Sequence, residues 1–186
     1  MVSQLQAPHT AFANKVTRLK SHPWLQAIEG TVQVFTSPHR SFFTNVMVQA
    51  MRVAGQGNAV LIAQFLKGGI QQGVDQPMQF GQGLEWLRAD ICRCLRQDDA
   101  TVEEKDAIAA LWHHTEDVVM QGRYSMVVLD ELSLAMKFGL IAEDDVLQFL
   151  KRRPSQVDVI LTGPDMPEAL LAIADQVTEF RRNFMG

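Results

Sequence analysis

The sequence predicts a three-layer α/β domain with a mainly parallel central sheet. Short apolar, β-branched runs recur along the chain, and longer segments of helical period separate them. The runs are Thr31–Phe35, Ala59–Phe65, Met126–Leu129, Val157–Leu161 and Val177–Phe180. Each is short enough for a strand buried on both faces. The intervening segments Ser41–Ala54, Thr101–Gln121, Glu143–Lys151 and Pro167–Asp175 supply the crossover helices, expected on both faces of the sheet.

Local signals support these elements. Gly55 closes the first crossover helix, Thr101 with Glu104 three residues on forms a capping box, and Pro167 suits a first helical turn. Lys67–Gly83, rich in Gly and Gln, reads as a long loop, and Trp86 as the start of a helix running toward Cys94. On such a helix Cys92 and Cys94 point to different sides, so they are expected to be reduced thiols. Residues 1–30 read as an N-terminal helical arm, broken at His22-Pro23 and carrying Phe12, Val16, Leu19 and Trp24; residues 31–186 form a single domain. The arm is expected to pack on its own domain, with a neighbouring molecule as the alternative.

Composition narrows the partners. With 186 residues, 47% hydrophobic, the chain can bury one substantial core. A formal charge of -4 leaves no basic field to attract nucleic acid or an anionic membrane. The longest clean apolar run, Ala59–Ala63, is far short of a membrane span, and the start lacks a charged and then apolar leader, so a cytoplasmic protein is expected.

In folds of this kind ligands bind at the carboxyl ends of the strands, and the first such turn is Thr36-Ser37-Pro38-His39-Arg40-Ser41-Phe42-Phe43-Thr44. A phosphate cradle needs inward-turned N–H groups, usually from glycine at positive φ, with a Lys for the phosphates and a Ser or Thr for Mg²⁺. This turn contains no glycine and no lysine. Arg40 can still offer an anion its planar fork of donors; the alternative is a solvated loop arginine.

The residues beyond the turn carry a resemblance. Arg52-Val53-Ala54-Gly55-Gln56-Gly57, Ala63-Gln64-Phe65-Leu66-Lys67-Gly68, Met126-Val127-Val128-Leu129-Asp130-Glu131-Leu132, Val159-Ile160-Leu161-Thr162-Gly163 and Val177-Thr178-Glu179-Phe180-Arg181 follow one another in order. Together they resemble the P-loop corrinoid (cobalamin) adenosyltransferases from about Thr31 to Arg181. The resemblance implies a P-loop NTPase-like (RecA-like) fold and a homodimer that binds ATP and a corrinoid. It also implies a reaction in which cob(I) attacks the ribose 5′ carbon and triphosphate leaves.

That family's loop is similar to Thr-Gly-Asn-Gly-Lys-Gly-Lys-Thr-Thr and lies on this turn without a gap. Its glycines become Ser37, His39 and Ser41, its Asn becomes Pro38 and its first Lys becomes Arg40. Its Walker Lys becomes Phe42 and its metal-binding Thr becomes Phe43, while Thr44 survives. The turn is thus expected to be a degenerate phosphate loop, since a neutral aromatic cannot offset a triphosphate's charge.

Asp130-Glu131 at the end of an apolar run resembles a Walker B site for Mg²⁺; the alternative is that Asp130 caps the helix starting near Glu131. The family usually has Arg after Thr162-Gly163, where this chain has Pro164-Asp165; it continues with a Lys-His pair past Arg181, where this chain has Phe184-Met185. Gly83-Leu84-Glu85-Trp86 resembles the family's Gly-Phe-x-Trp, whose aromatic pair flanks the corrin, with core packing of Trp86 as the alternative. Gln64, Lys67, Leu84, Trp86, Thr162 and Gly163 are the expected cleft. Arg152-Arg153 and Trp112 with His113-His114 read as structural.

Three functions remain open. The first is a non-catalytic homologue that binds a corrinoid, another small ligand or a protein. The second is an adenosyltransferase with rebuilt phosphate contacts that uses Mg-ATP, and the third an interaction module whose cleft Phe42 and Phe43 fill.

Overall fold

The computed structural model describes residues 29–70 and 72–181. The N-terminal arm, except Glu29 and Gly30, lies outside the described residues, as does Phe184-Met185. Along the described chain run β1 (Val32–Thr36), α1 (Thr44–Gly55), β2 (Val60–Gln64), β3 (Met78–Phe80), β4 (Leu84–Arg88), α2 (Val102–Met120) and β5 (Met126–Asp130). Then follow α3 (Leu132–Lys137), α4 (Glu143–Arg152), β6 (Asp158–Thr162), α5 (Glu168–Ile173) and β7 (Gln176–Glu179). The sheet has seven strands in the order β3-β4-β2-β5-β6-β1-β7, and all pairings are parallel except β3 with β4. The expected fold class is the one observed.

Burial on both faces explains why the central strands read as unbroken apolar runs. Val60, Ile62, Met126, Val128 and Ile160 face α1 and pack on its Val46, Met47 and Ala50. Their neighbours Leu61, Ala63, Val127, Leu129, Val159 and Leu161 point the other way. There they meet Ile108, Leu111 and Trp112 of α2, Leu132 of α3, Phe149 of α4 and Leu170 of α5. Among the described elements, α1 is therefore the one helix on its face, opposite four on the other.

The capping box at Thr101 forms in both directions: its hydroxyl accepts from Glu104 N at 3.3 Å, and its own N–H donates to Glu104 Oε2 at 2.9 Å. Pro167 sits one residue before the helix it was expected to open. Arg153 follows α4 and donates to the carbonyls of Leu150, Val157 and Gly30, a structural role.

Two expectations are corrected. Part of the expected loop Lys67–Gly83 is β3, and Leu84–Arg88 is a strand rather than the start of a helix. The five residues of β4 have no helix of their own to join, because β2 offers a parallel edge and Gly83 O accepts from Val60 N at 2.7 Å. Gly83 is needed there: a Cβ would lie 2.6 Å from the Asn58 carbonyl oxygen. The strand is further held by Tyr124, whose hydroxyl donates to Glu85 Oε2 at 2.9 Å. Cys92 and Cys94 accordingly lie in irregular backbone, both exposed as free thiols, and not on a helix.

Candidate functional site

Sheet register brings the site together. Gln64 ends β2 abreast of Asp130 at the end of β5, Leu129 pairs with Leu161 just before Thr162 on β6, and Thr162 pairs with Phe35 on β1. The turn after β1, the Gln64–Lys67 stretch, Asp130-Glu131 and Thr162-Gly163 thus share the carboxyl edge, where ligands bind in open parallel sheets.

Asp130 is fully buried, and both its oxygens are engaged. Lys67 Nζ at 2.6 Å and Gln64 Nε2 at 2.7 Å donate to Oδ2, while the Thr162 hydroxyl donates to Oδ1 at 2.8 Å. Gln64 is oriented in turn by Arg88, whose Nε donates to its Oε1 at 2.9 Å. Such a carboxylate is satisfied by a cation and two neutral donors, the condition for keeping a charge out of water. The expectation that Asp130 caps a helix is overturned, because its side chain turns back to strands β2 and β6. Glu131 occupies the capping position of α3, with left-handed backbone (φ 60°) and no side-chain cap bond.

Glu131 meets the turn after β1. Arg40 lays its fork on this carboxylate, Nε to Oε1 at 2.5 Å and Nη2 to Oε2 at 2.6 Å, and its Nη1 donates to the Leu95 carbonyl at 2.5 Å. Paired bonds of this type are among the strongest a protein makes. The hydrogen bonds to Glu131 are the main reason the guanidinium's pKa is raised further above its ordinary value.

The rest of the turn is held by its own atoms. Ser37 is buried and donates to the His39 carbonyl at 2.5 Å, and Ser41 donates to the same oxygen at 3.2 Å. No residue from Thr36 to Thr44, Pro38 included, has positive φ, so successive N–H groups do not alternate into a concave nest. Phe42 and Phe43 go separate ways. Phe43 is 3% exposed and enters the core beneath α1, its ring 5.6 Å from that of Phe180. Phe42 is 50% exposed, and Lys67 Nζ lies 4.8 Å from its ring centre.

Gly163 is required where it stands. Its φ is 137°, and a Cβ would lie 2.1 Å from the Ser133 hydroxyl, which donates to the Pro164 carbonyl at 2.5 Å. Leu84 and Trp86, also expected in the cleft, lie on the flank of the sheet that faces α1. Leu84 is closed into that core, while Trp86 is half-buried against it with its indole N–H lacking a hydrogen-bond partner. Of the six expected cleft residues, Gln64, Lys67, Thr162 and Gly163 cluster around the Asp130–Glu131 corner, and the other two do not.

Sequence reasoning missed Arg88 and the Leu95 carbonyl, which became visible only with the β2–β4 register and the irregular course of residues 89–100. A shallow depression of about 430 Å³ at this corner is lined by Arg40, Lys67, Cys94, Arg96 and Glu131. Among the described residues no group of three His, Cys, Asp or Glu could hold a metal ion. No helix among them is long and apolar enough to cross a membrane.

The comparisons decide the family. Residues 28–183 match the family model described as ATP:corrinoid adenosyltransferase BtuR/CobO/CobP. The chain belongs to the ATP:corrinoid adenosyltransferase family. It is similar to a corrinoid adenosyltransferase of Sinorhizobium sp, 29% identical over 163 residues that cover 81% of this chain and 72% of the relative. The corrinoid adenosyltransferase of Escherichia coli (strain K12) is 29% identical over 154 residues, covering 82% and 76%. For the corrinoid adenosyltransferase CobA of Salmonella typhimurium (strain LT2) the identity is 27% over 168 residues, covering 84% and 79%.

Proposed function

We propose that this family member has lost ATP-dependent adenosyl transfer and works by binding, with a corrinoid as its ligand. One observation carries the reading: both carboxylates of the cleft and the cations nearest them are matched in pairs. Lys67 neutralises Asp130 and Arg40 neutralises Glu131, at 2.6 and 2.5 Å. A magnesium triphosphate would need these carboxylates free for metal and these cations free for phosphate. The residues present therefore do not fit Mg-ATP, and no transfer step is derived through it. The names of the relatives and the half-buried Trp86, which stands where the resemblance places a corrin-flanking aromatic, support the ligand class.

A transferase rebuilt on Arg40 and Lys67 would require both to leave their carboxylates, exposing a buried charge at Asp130. Titration calorimetry separates the two readings. Mg-ATP at millimolar concentration is expected to give no saturable heat, and magnesium-dependent binding would overturn the proposal. Mixing with cob(II)alamin is expected to shift the corrinoid absorbance, and Trp86→Ala to abolish that shift. If neither nucleotide nor corrinoid binds while a protein partner is recovered, the interaction-module reading replaces this one.

A further inference from the structure

We infer that Arg96 anchors the phosphodiester of a complete corrinoid, so that the cleft selects corrinoids carrying the nucleotide loop over those without it. This selection rests on the proposed corrinoid binding and narrows the ligand class of that same cleft.

The charges at the carboxyl edge single Arg96 out. The depression of about 430 Å³ there is lined by Arg40, Lys67, Cys94, Arg96 and Glu131. Arg40 is held by Glu131, and Lys67 by Asp130, so these four charges cancel. Arg96 is the surplus cation: it is exposed, and among the described residues no carboxylate pairs with it. The backbone that presents it is fixed. Leu95 is fully buried, its N–H donates to Leu66 O at 3.0 Å, and its carbonyl accepts from Arg40 Nη1 at 2.5 Å. Two residues earlier, Arg93 is clasped by Asp99 and Glu104, at 2.9 Å each. A guanidinium held out from such a backbone gives up less freedom when it takes a ligand.

An isolated surplus cation matches an isolated negative charge. A triphosphate needs several cations and a metal, and here the nearest cations are already paired. A phosphodiester spreads a single charge over two free oxygens, the arrangement that a guanidinium fork meets with parallel hydrogen bonds. Complete corrinoids carry such a phosphodiester in the loop that joins the corrin to its lower base, whereas cobinamides end in a hydroxyl and carry none. The two contacts are close enough for one ligand. Trp86 precedes Arg88 by about 7 Å of strand, and Arg88 Nε reaches Gln64 of the Asp130 node at 2.9 Å.

Anaerobic absorbance titrations of the full-length protein with cob(II)alamin and cob(II)inamide test the assignment. Cob(II)alamin is expected to bind about fivefold to tenfold more tightly, the size of one exposed charge-assisted contact. Arg96→Gln should bring cob(II)alamin down to the affinity of cob(II)inamide and leave cob(II)inamide unchanged. Arg96→Lys keeps the charge without the fork and should retain part of the preference. Salt at about 0.5 M should shrink the preference in the parent. Arg96 is exposed, so these variants leave the core untouched, and an unchanged thermal melt checks this. Equal affinity for the two corrinoids in the parent would overturn the inference and leave corrinoid binding standing. A preference that survives Arg96→Gln would do the same, because it then belongs to the lower base and not to the phosphodiester. Binding of neither corrinoid would overturn both. Saturable binding of inorganic phosphate alone, lost in Arg96→Gln, would make this a site for free phosphate and overturn the inference as well.

Discussion

The turn after β1 and the Asp130 node face each other across one edge of the sheet, yet they hold their residues for different reasons. Asp130, Gln64 and Thr162 keep the types that the family pattern has, and all three are buried and tied to one another. On the resemblance, the turn departs from the family's loop at every position between Thr36 and Thr44, and Phe43 is part of the core. The difference teaches that a buried polar residue at the carboxyl edge is fixed by the strands that need it, whatever else it serves. On the proposed reading, residues of the turn that serve only a ligand are free to change. A buried hydrogen-bonded carboxylate is costly to dismantle, whereas a surface loop is not.

Reversing the most embedded change should have the largest effect. Phe43→Thr restores the family's residue type but removes a ring packed beneath α1, and is expected to cost about 3–4 kcal/mol in urea unfolding. A loss below about 1 kcal/mol would show that the core closes over the gap, and that the turn has not been absorbed into the fold.

Lys67→Met attacks the node from the other side. It leaves Asp130 without its cation, and since Lys67 is itself 18% exposed the lower end of the range for a broken buried pair applies, about 3 kcal/mol. Adding Asp130→Asn should recover most of this, because the pair is then absent rather than broken. Failure of that rescue would mean that Lys67 supports the fold through packing over Phe42 and not through charge.

Legibility in the sequence divided along the same line. Strands β2, β5 and β6 were readable because burial on both faces writes a near-continuous apolar run, and β1 because Val32, Val34 and Phe35 are apolar and buried. Strand β4 was not: Leu84-Glu85-Trp86-Leu87-Arg88 has neither strict alternation nor an apolar run, and its identity comes from pairing with β2. The short β3 exists only as the partner of β4. At the site, Asp130 and Thr162 were legible from the strands they terminate. Arg88 and the Leu95 carbonyl were not, because they reach the site through β4 and the irregular chain after it. Which partner Asp130 takes, a metal, a helix end or Lys67, depends on distances that no spacing in the sequence encodes.

A smaller effect probes β4 away from both regions. Burial, and then the hydrogen bond to Glu85, push the Tyr124 hydroxyl from its ordinary value of 10.0 up to about 12. The unfolded chain therefore loses the phenolic proton first, so the contribution is full below pH 10 and is lost as pH rises toward 12. Tyr124 is buried but its partner Glu85 is only half-buried, and screening there reduces this contribution to about 1 kcal/mol. Tyr124→Phe should remove that part of the alkaline fall in thermal stability, and an unchanged slope would exclude the titration of Tyr124 as its source.

The smallest expected effect is the most informative about the turn. Phe42→Lys returns the family's ammonium to the loop, at a position 50% exposed, so stability should change by no more than about 0.5 kcal/mol. The new charge would stand beside Lys67, which is already held by Asp130, and above a backbone with no residue at positive φ between Thr36 and Thr44. One cation without converging N–H groups gives a phosphate chain only a solvated point contact. Calorimetry with Mg-ATP is therefore expected to stay flat in this variant. Saturable binding gained by the single change would show that the loss in the turn is one of charge alone, and that its backbone still closes around phosphate when a ligand asks it to.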